Sequence, residues 1–150
     1  MTTTTKSLAV LAVLLSAGAL ADAPAKPPSP EEAQVAMLQN AKWVAPTTAG
    51  IPAGVMVSPV AVDPQTGASL GYAKFPPGYA FPMHWHSQTE YTTVISGKPR
   101  FTVDGKPYDL ATGSYIVIPA KAHHSLNCGA DAECVVLTRR AGPTDYNWVK

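Results

Sequence analysis

The 150-residue sequence has little charge and no excess of either sign. Eleven Lys and Arg stand against ten Asp and Glu, and charged residues make up 14% of the chain. They are scattered, with no basic patch or charge run, which excludes electrostatic recognition of a nucleic-acid backbone. No apolar run beyond Leu15 is long enough to span a bilayer, so the body of the chain is expected to have no membrane helix. Cysteine is scarce, with only Cys128 and Cys134. No internal repeat is present, so one domain unit is expected rather than two. What remains is a small-molecule partner, not nucleic acid or a membrane.

Proline and glycine are plentiful instead, with 15 Pro and 11 Gly against a hydrophobic content of 46%. This composition disfavours a helix bundle and fits short strands joined by turns. Strand-like runs cover Val55–Val62, Ser69–Phe75, Phe81–His86, Tyr91–Ile95, Arg100–Val103, Tyr115–Ile118, Ser125–Cys128 and Val135–Arg139. Turn residues separate them, including Pro76-Pro77-Gly78 and Ala111-Thr112-Gly113. Asp104-Gly105 is the signature of a type I′ hairpin. No room is left for crossover helices, so the fold class is all-β, an antiparallel sandwich or barrel.

The first residues read as a targeting segment. Lys6 precedes the apolar stretch Leu8–Leu15, and small-x-small sites follow at Ala19-Leu20-Ala21 and Ala21-Asp22-Ala23. Residues 1–23 are therefore expected to be a signal peptide, and the mature chain to be periplasmic or secreted, free of the membrane after cleavage. Residues 24–42 form a Pro-rich leader and a short helix. Ser29, Pro30 and Glu32 make an N-terminal capping box, which predicts a helix from Pro30 to Asn40 with Val35 and Leu38 packed on the barrel. The barrel itself is expected over 43–150.

The chemistry is concentrated between Gly78 and Gly97. His84 and His86 are two apart on a strand, so both imidazoles share one face and Trp85 takes the other. Glu90 opens the next strand and can face the same interior. Two imidazoles and a carboxylate on adjacent strands form a candidate site for a divalent metal.

These residues also carry a family resemblance. Gly78, His84, His86, Glu90 and Gly97 fit the spacing of the first cupin motif at every position. Gly113, Pro119 and His124 fit the second, while Lys121 replaces its inner glycine and Cys128 its asparagine. The sequence thus resembles the cupin superfamily over Val55–Arg140. That resemblance implies a single jelly-roll barrel, and it adds His124 as a third histidine ligand to His84, His86 and Glu90. Such a shell suits Fe, Mn, Ni, Cu, Co or Zn and not the all-oxygen preferences of Ca or Mg. Glu90 has two readings, as a ligand or as a catalytic general base on a bound substrate.

Thr92 and Val94 share the face of Glu90 and are expected to line the substrate pocket. Tyr91 goes with Trp85 to the other face, and His123 is expected at the surface. Cys128 and Cys134 flank a hairpin-length segment. They either close a disulfide across it, or Cys128 turns inward beside the metal. Tyr146 and Trp148 in the tail are placed to cover a sheet edge or a neighbouring subunit, and open barrel edges lead us to expect a homodimer. The resemblance implies a dioxygenase-like metalloenzyme, with isomerase or lyase chemistry also open. The alternative is a non-catalytic sensor or carrier of a small ligand or metal.

Overall fold

The computed structural model describes residues 35–150. The expected signal peptide, the Pro-rich leader and the capping box lie outside the described residues. Ten strands follow one another among those described: β1 (Met56–Val62), β2 (Ser69–Phe75), β3 (Ala80–Trp85), β4 (Glu90–Ser96), β5 (Pro99–Val103), β6 (Lys106–Asp109), β7 (Tyr115–Ile118), β8 (His124–Cys128), β9 (Cys134–Arg140) and β10 (Asn147–Trp148). They form two five-stranded sheets, ordered β1-β2-β9-β4-β7 and β10-β3-β8-β5-β6. Every pairing is antiparallel. The inward faces meet in an apolar core that includes Phe75, Phe81, Phe101, Ile118, Leu126 and Val136. This is the all-β antiparallel architecture expected from the short strands and turns, and the jelly-roll barrel that the resemblance implies.

Two strands were not anticipated. β6 is polar and carries Pro107, so it has no strand signature of its own. Its register is imposed by the hairpin, in which Asp104 (φ 47°) and Gly105 (φ 80°) both take the left-handed conformation that a type I′ turn requires. That turn aligns Lys106 with Val103 and Asp109 with Arg100. Arg100 and Asp109 then form a two-pronged ion pair, with Nε–Oδ1 2.5 Å and Nη2–Oδ2 2.8 Å. Pro107 is tolerated because β6 is a sheet edge. β10 spans only two residues, too short for any periodicity. It pairs with β3 and so covers that sheet edge.

The helix expected over Pro30–Asn40 is not what the described part shows. Residues 35–37 are non-helical, and a single 3₁₀ turn follows at Leu38–Asn40. Val35 is 82% exposed and does not pack on the barrel, while Leu38 is half-buried. A short helix in water needs a buried apolar face to persist, and this segment offers none. The chain enters the fold at Val44, which exchanges two backbone hydrogen bonds with Val57.

Backbone geometry accounts for two features of the motifs. A Cβ on Gly97 (φ 84°) would lie 2.6 Å from the Glu133 carbonyl oxygen and 2.8 Å from Cys134 Cα, so only glycine lets β9 approach so closely. Lys121, where the resemblance has glycine, keeps a left-handed φ of 66°. A non-glycine residue there costs about 1 kcal/mol. The turn is retained nonetheless, and the Lys121 N–H donates to the His86 carbonyl at 2.8 Å. Cys128 and Cys134 are joined in a disulfide that ties β8 to β9 and thus one sheet to the other.

Candidate metal centre

His84 lies on β3, and His86 follows directly after that strand. A register irregularity between Phe81 and His84 turns both of those side chains inward, although they are three residues apart. From His84 the ordinary alternation carries His86 to the same side. His124 is the first residue of β8 and the direct cross-strand partner of His84. The three rings therefore converge: His84–His124 centroids are 4.2 Å apart, His84–His86 4.8 Å and His86–His124 5.1 Å. All three are buried. One ligand nitrogen from each lies within 4.8 Å of the others.

Hydrogen bonding fixes which nitrogens converge. His84 Nδ1 donates to the Pro82 carbonyl at 2.8 Å and His124 Nδ1 to the Ala122 carbonyl at 2.9 Å. His86 Nδ1 donates to the Asp145 carbonyl. A carbonyl only accepts, so each proton sits on Nδ1 and each Nε2 presents a lone pair. His84 Nε2 and His86 Nε2 are 3.2 Å apart, and His124 Nε2 is buried with no partner. Facing lone pairs in a buried site repel, and a cation among them removes the conflict. The residues present thus fit a metal ion, in the tautomer that metal-binding histidines adopt when a backbone carbonyl orients them.

Glu90 stands beside this triad. It is buried at the start of β4, with Oε2 3.0 Å from His86 Nε2. Its cross-strand partner is Arg140 at the end of β9, whose Nη2 donates to Glu90 Oε2 and, at 3.1 Å, to His86 Nε2. Thr92 Oγ1 donates to Glu90 Oε1 at 2.9 Å and lies 3.0 Å from Thr138 Oγ1. Burial alone would raise the Glu90 pKa, but the Arg140 guanidinium more than offsets it and holds the carboxyl well below the usual range. Burial, with the neighbouring His124, pushes His84 down to about 3, and burial lowers His124 as well.

These shifts set a pH dependence for the metal-free protein. Groups protonated less readily in the folded state lose proton uptake relative to the unfolded chain, so acid favours unfolding. The metal-free protein is expected to hold full stability above about pH 6.5, the ordinary histidine value. Stability should fall as pH drops toward about 3 through His84, and Glu90 should add to the loss below the ordinary carboxylate value of 4.5. Urea midpoints measured across that range in chelator check this, and a flat profile would refute it.

A cavity of about 430 Å³ adjoins the site. His84, His124, Glu90, Arg140 and Tyr146 line it together with the apolar side chains of Ile51, Phe75, Phe81, Leu126 and Val136. Thr92 and Val94, expected as pocket wall, are fully buried and do not line it. Thr92 instead holds Glu90. Trp85 and Tyr91 are half-buried, Tyr91 beneath Arg139 at 5.7 Å, and His123 is exposed. Cys128 ends β8 roughly 13 Å along the strand from His124 at about 3.3 Å per residue, so it does not turn toward the triad.

The tail contributes more than an edge cover. Asp145 accepts hydrogen bonds from Ser87 N (3.0 Å), Ser87 Oγ (2.7 Å) and Asn147 Nδ2 (2.8 Å), which fixes the carbonyl that orients His86. Tyr146 lies 4.9 Å from the His86 ring and 5.4 Å from His84, and it stacks on Trp148. Sequence reasoning missed Arg140 and Asp145 altogether.

Comparison with known proteins agrees with this geometry. Residues 71–138 match the family model described as Cupin domain. The chain belongs to the cupin superfamily. This cupin is 47% identical over 49 residues to the quercetin 2,3-dioxygenase of Bacillus subtilis, a match covering 32% of the chain but only 14% of that enzyme. The solved polyketide cyclase RemF of Streptomyces resistomycificus shares its fold at a TM-score of 0.66 and 17% identity, covering 79% of this chain and 87% of that one. A cupin-like protein of Thermotoga maritima does so at 0.64 and 20% identity, covering 72% and 86%.

Proposed function

We propose that this cupin is an exported metalloenzyme that binds one divalent transition metal ion and carries out dioxygenase-like chemistry on a small organic substrate. The observation that carries the reading is the tautomer-locked convergence of three histidines beside a largely apolar cavity. His84, His86 and His124 would hold the ion, with Glu90 as the fourth group beside them. Fe, Mn, Ni, Cu, Co and Zn all suit this nitrogen-rich set. The partial similarity to a dioxygenase supports the oxygen chemistry. Once bound, the ion would supply Lewis acidity and, if redox-active, oxygen activation.

The chain's own residues prepare that site. The carbonyls of Pro82, Ala122 and Asp145 fix the Nδ1 proton of each imidazole and aim its Nε2 inward, while burial lowers the pKa of His84 and His124. Arg140 and Thr92 hold Glu90 ionised and in one orientation. Its depressed pKa makes Glu90 a weak proton acceptor, so a role as ligand is favoured over one as general base. The apolar walls, Phe75, Phe81, Leu126 and Val136 among them, would pack against the body of a bound substrate.

The test is oxygen uptake by the iron- or manganese-loaded protein over a panel of flavonols and other enolisable or phenolic compounds. Uptake coupled to loss of one compound is expected, and should disappear with a chelator. Thermal stabilisation by a compound without turnover or oxygen uptake would replace the enzymatic reading with that of a binding protein.

A further inference from the structure

An ion held by the triad, as proposed above, leaves the cavity electrically unbalanced, and the charge it would demand of a ligand rests on that reading. Of the acids and bases that line the cavity, Glu90 and Arg140 form a pair and cancel. The imidazoles present lone pairs and add no charge. Tyr146 contributes a phenol, which is neutral at neutral pH. The Asp145 carboxylate is engaged by Ser87 and Asn147 and does not line the cavity. The other described acids, Asp63, Asp104, Asp109, Asp131 and Glu133, are exposed and do not line it either. The Asp145 carboxylate lies behind the His86 ring, with Oδ1 3.9 Å from Nδ1, so a divalent ion would leave positive charge uncompensated on the cavity side, against walls such as Phe81, Phe101 and Val136. An apolar cavity does not tolerate such an excess without a counter-charge.

Arg140 has donors to spare for one. Its Nη2 serves Glu90 and His86, while its buried Nε has no partner. A guanidinium carries five N–H donors, so one carboxylate does not exhaust it. We infer that the cavity takes an organic anion, a small molecule with an apolar body and one carboxylate or ionised hydroxyl, whose charged oxygens lie at the end lined by Arg140 and the histidines. The volume of about 430 Å³ accommodates a molecule of this class. The arrangement selects against neutral isosteres, which leave the charge excess in place.

The experiment uses the full chain loaded with zinc, which is redox-inert, and calorimetry at neutral pH. Benzoate is compared with benzamide, and hexanoate with hexanamide. In the wild type each acid should bind at least about tenfold tighter than its amide, the effect of a charge-assisted contact in place of a neutral one. Arg140→Gln should bring the ratio toward one, and Arg140→Lys should keep part of it. Glu90→Gln moves the balance the other way and should raise the ratio, which gives a reading even where Arg140→Gln fails to fold. Equal affinity for acid and amide, no binding of either acid, or an unchanged ratio in Arg140→Gln overturns the inference. Zinc content is measured in the same samples. A chain without zinc refutes the metal reading and this inference together, whereas a zinc-loaded chain without anion preference refutes this inference alone.

Discussion

Replacing His84 and His86 together by alanine should take bound divalent metal from about one ion per chain to near none, with affinity falling more than about a hundredfold. That factor is a lower bound, because loss of one outer-shell partner already costs as much as this, and here two direct ligands go. What remains is His124 and a carboxylate already engaged by Arg140 and Thr92. The matched control is His123→Ala. His123 is adjacent to His124 but exposed, and its backbone N–H is held by Asp104 Oδ1 at 2.9 Å rather than through its ring. It should keep full metal content. Elemental analysis after dialysis, beside circular dichroism to confirm folding, reads the outcome. Equal metal in the double variant and the wild type would mean that the triad is a buried structural cluster and not a metal centre.

The parts of this site that can be read from the chain are those set by local spacing. His84 and His86 are related by strand alternation alone, and Glu90 needs only the short turn between β3 and β4. His124 came from the motif resemblance, since nothing local ties it to His84. Arg140 does carry a signal in the chain. Val136, Thr138 and Arg140 share one face of β9, as Glu90, Thr92 and Val94 share one face of β4. Their meeting depends on register, however, and register is a property of the assembled sheet. Asp145 had no signal, because it acts through its backbone carbonyl, which every residue possesses. Thr92 was placed on the correct face but assigned the wrong neighbour, since parity gives direction and not depth. The described end of the expected N-terminal helix differs for a related reason. A capping box describes how a helix would start, whereas persistence depends on burial, and Val35 finds no surface to bury against.

Arg140→Met in the metal-free protein should lower stability by about 3–5 kcal/mol, the loss that follows removal of one partner from a buried ion pair. Both groups are nearly closed off, with side-chain exposures of 11% for Arg140 and 8% for Glu90, so water cannot replace the guanidinium. The stranded carboxylate would face the lone pair on His86 Nε2 and would have to take up a proton, its pKa rising with the lost partner. Two further measurements separate a charge effect from a simple packing defect. Glu90→Gln added to Arg140→Met should recover part of the loss, because the amide carries no charge to strand. Saturating zinc should recover part of it as well, since a cation beside the triad offsets the same negative charge from the other side. Urea denaturation of the two single variants and the double variant, with chelator and with zinc, completes the cycle. If neither the second substitution nor zinc restores any stability, Arg140 serves the core by its volume and not by its charge.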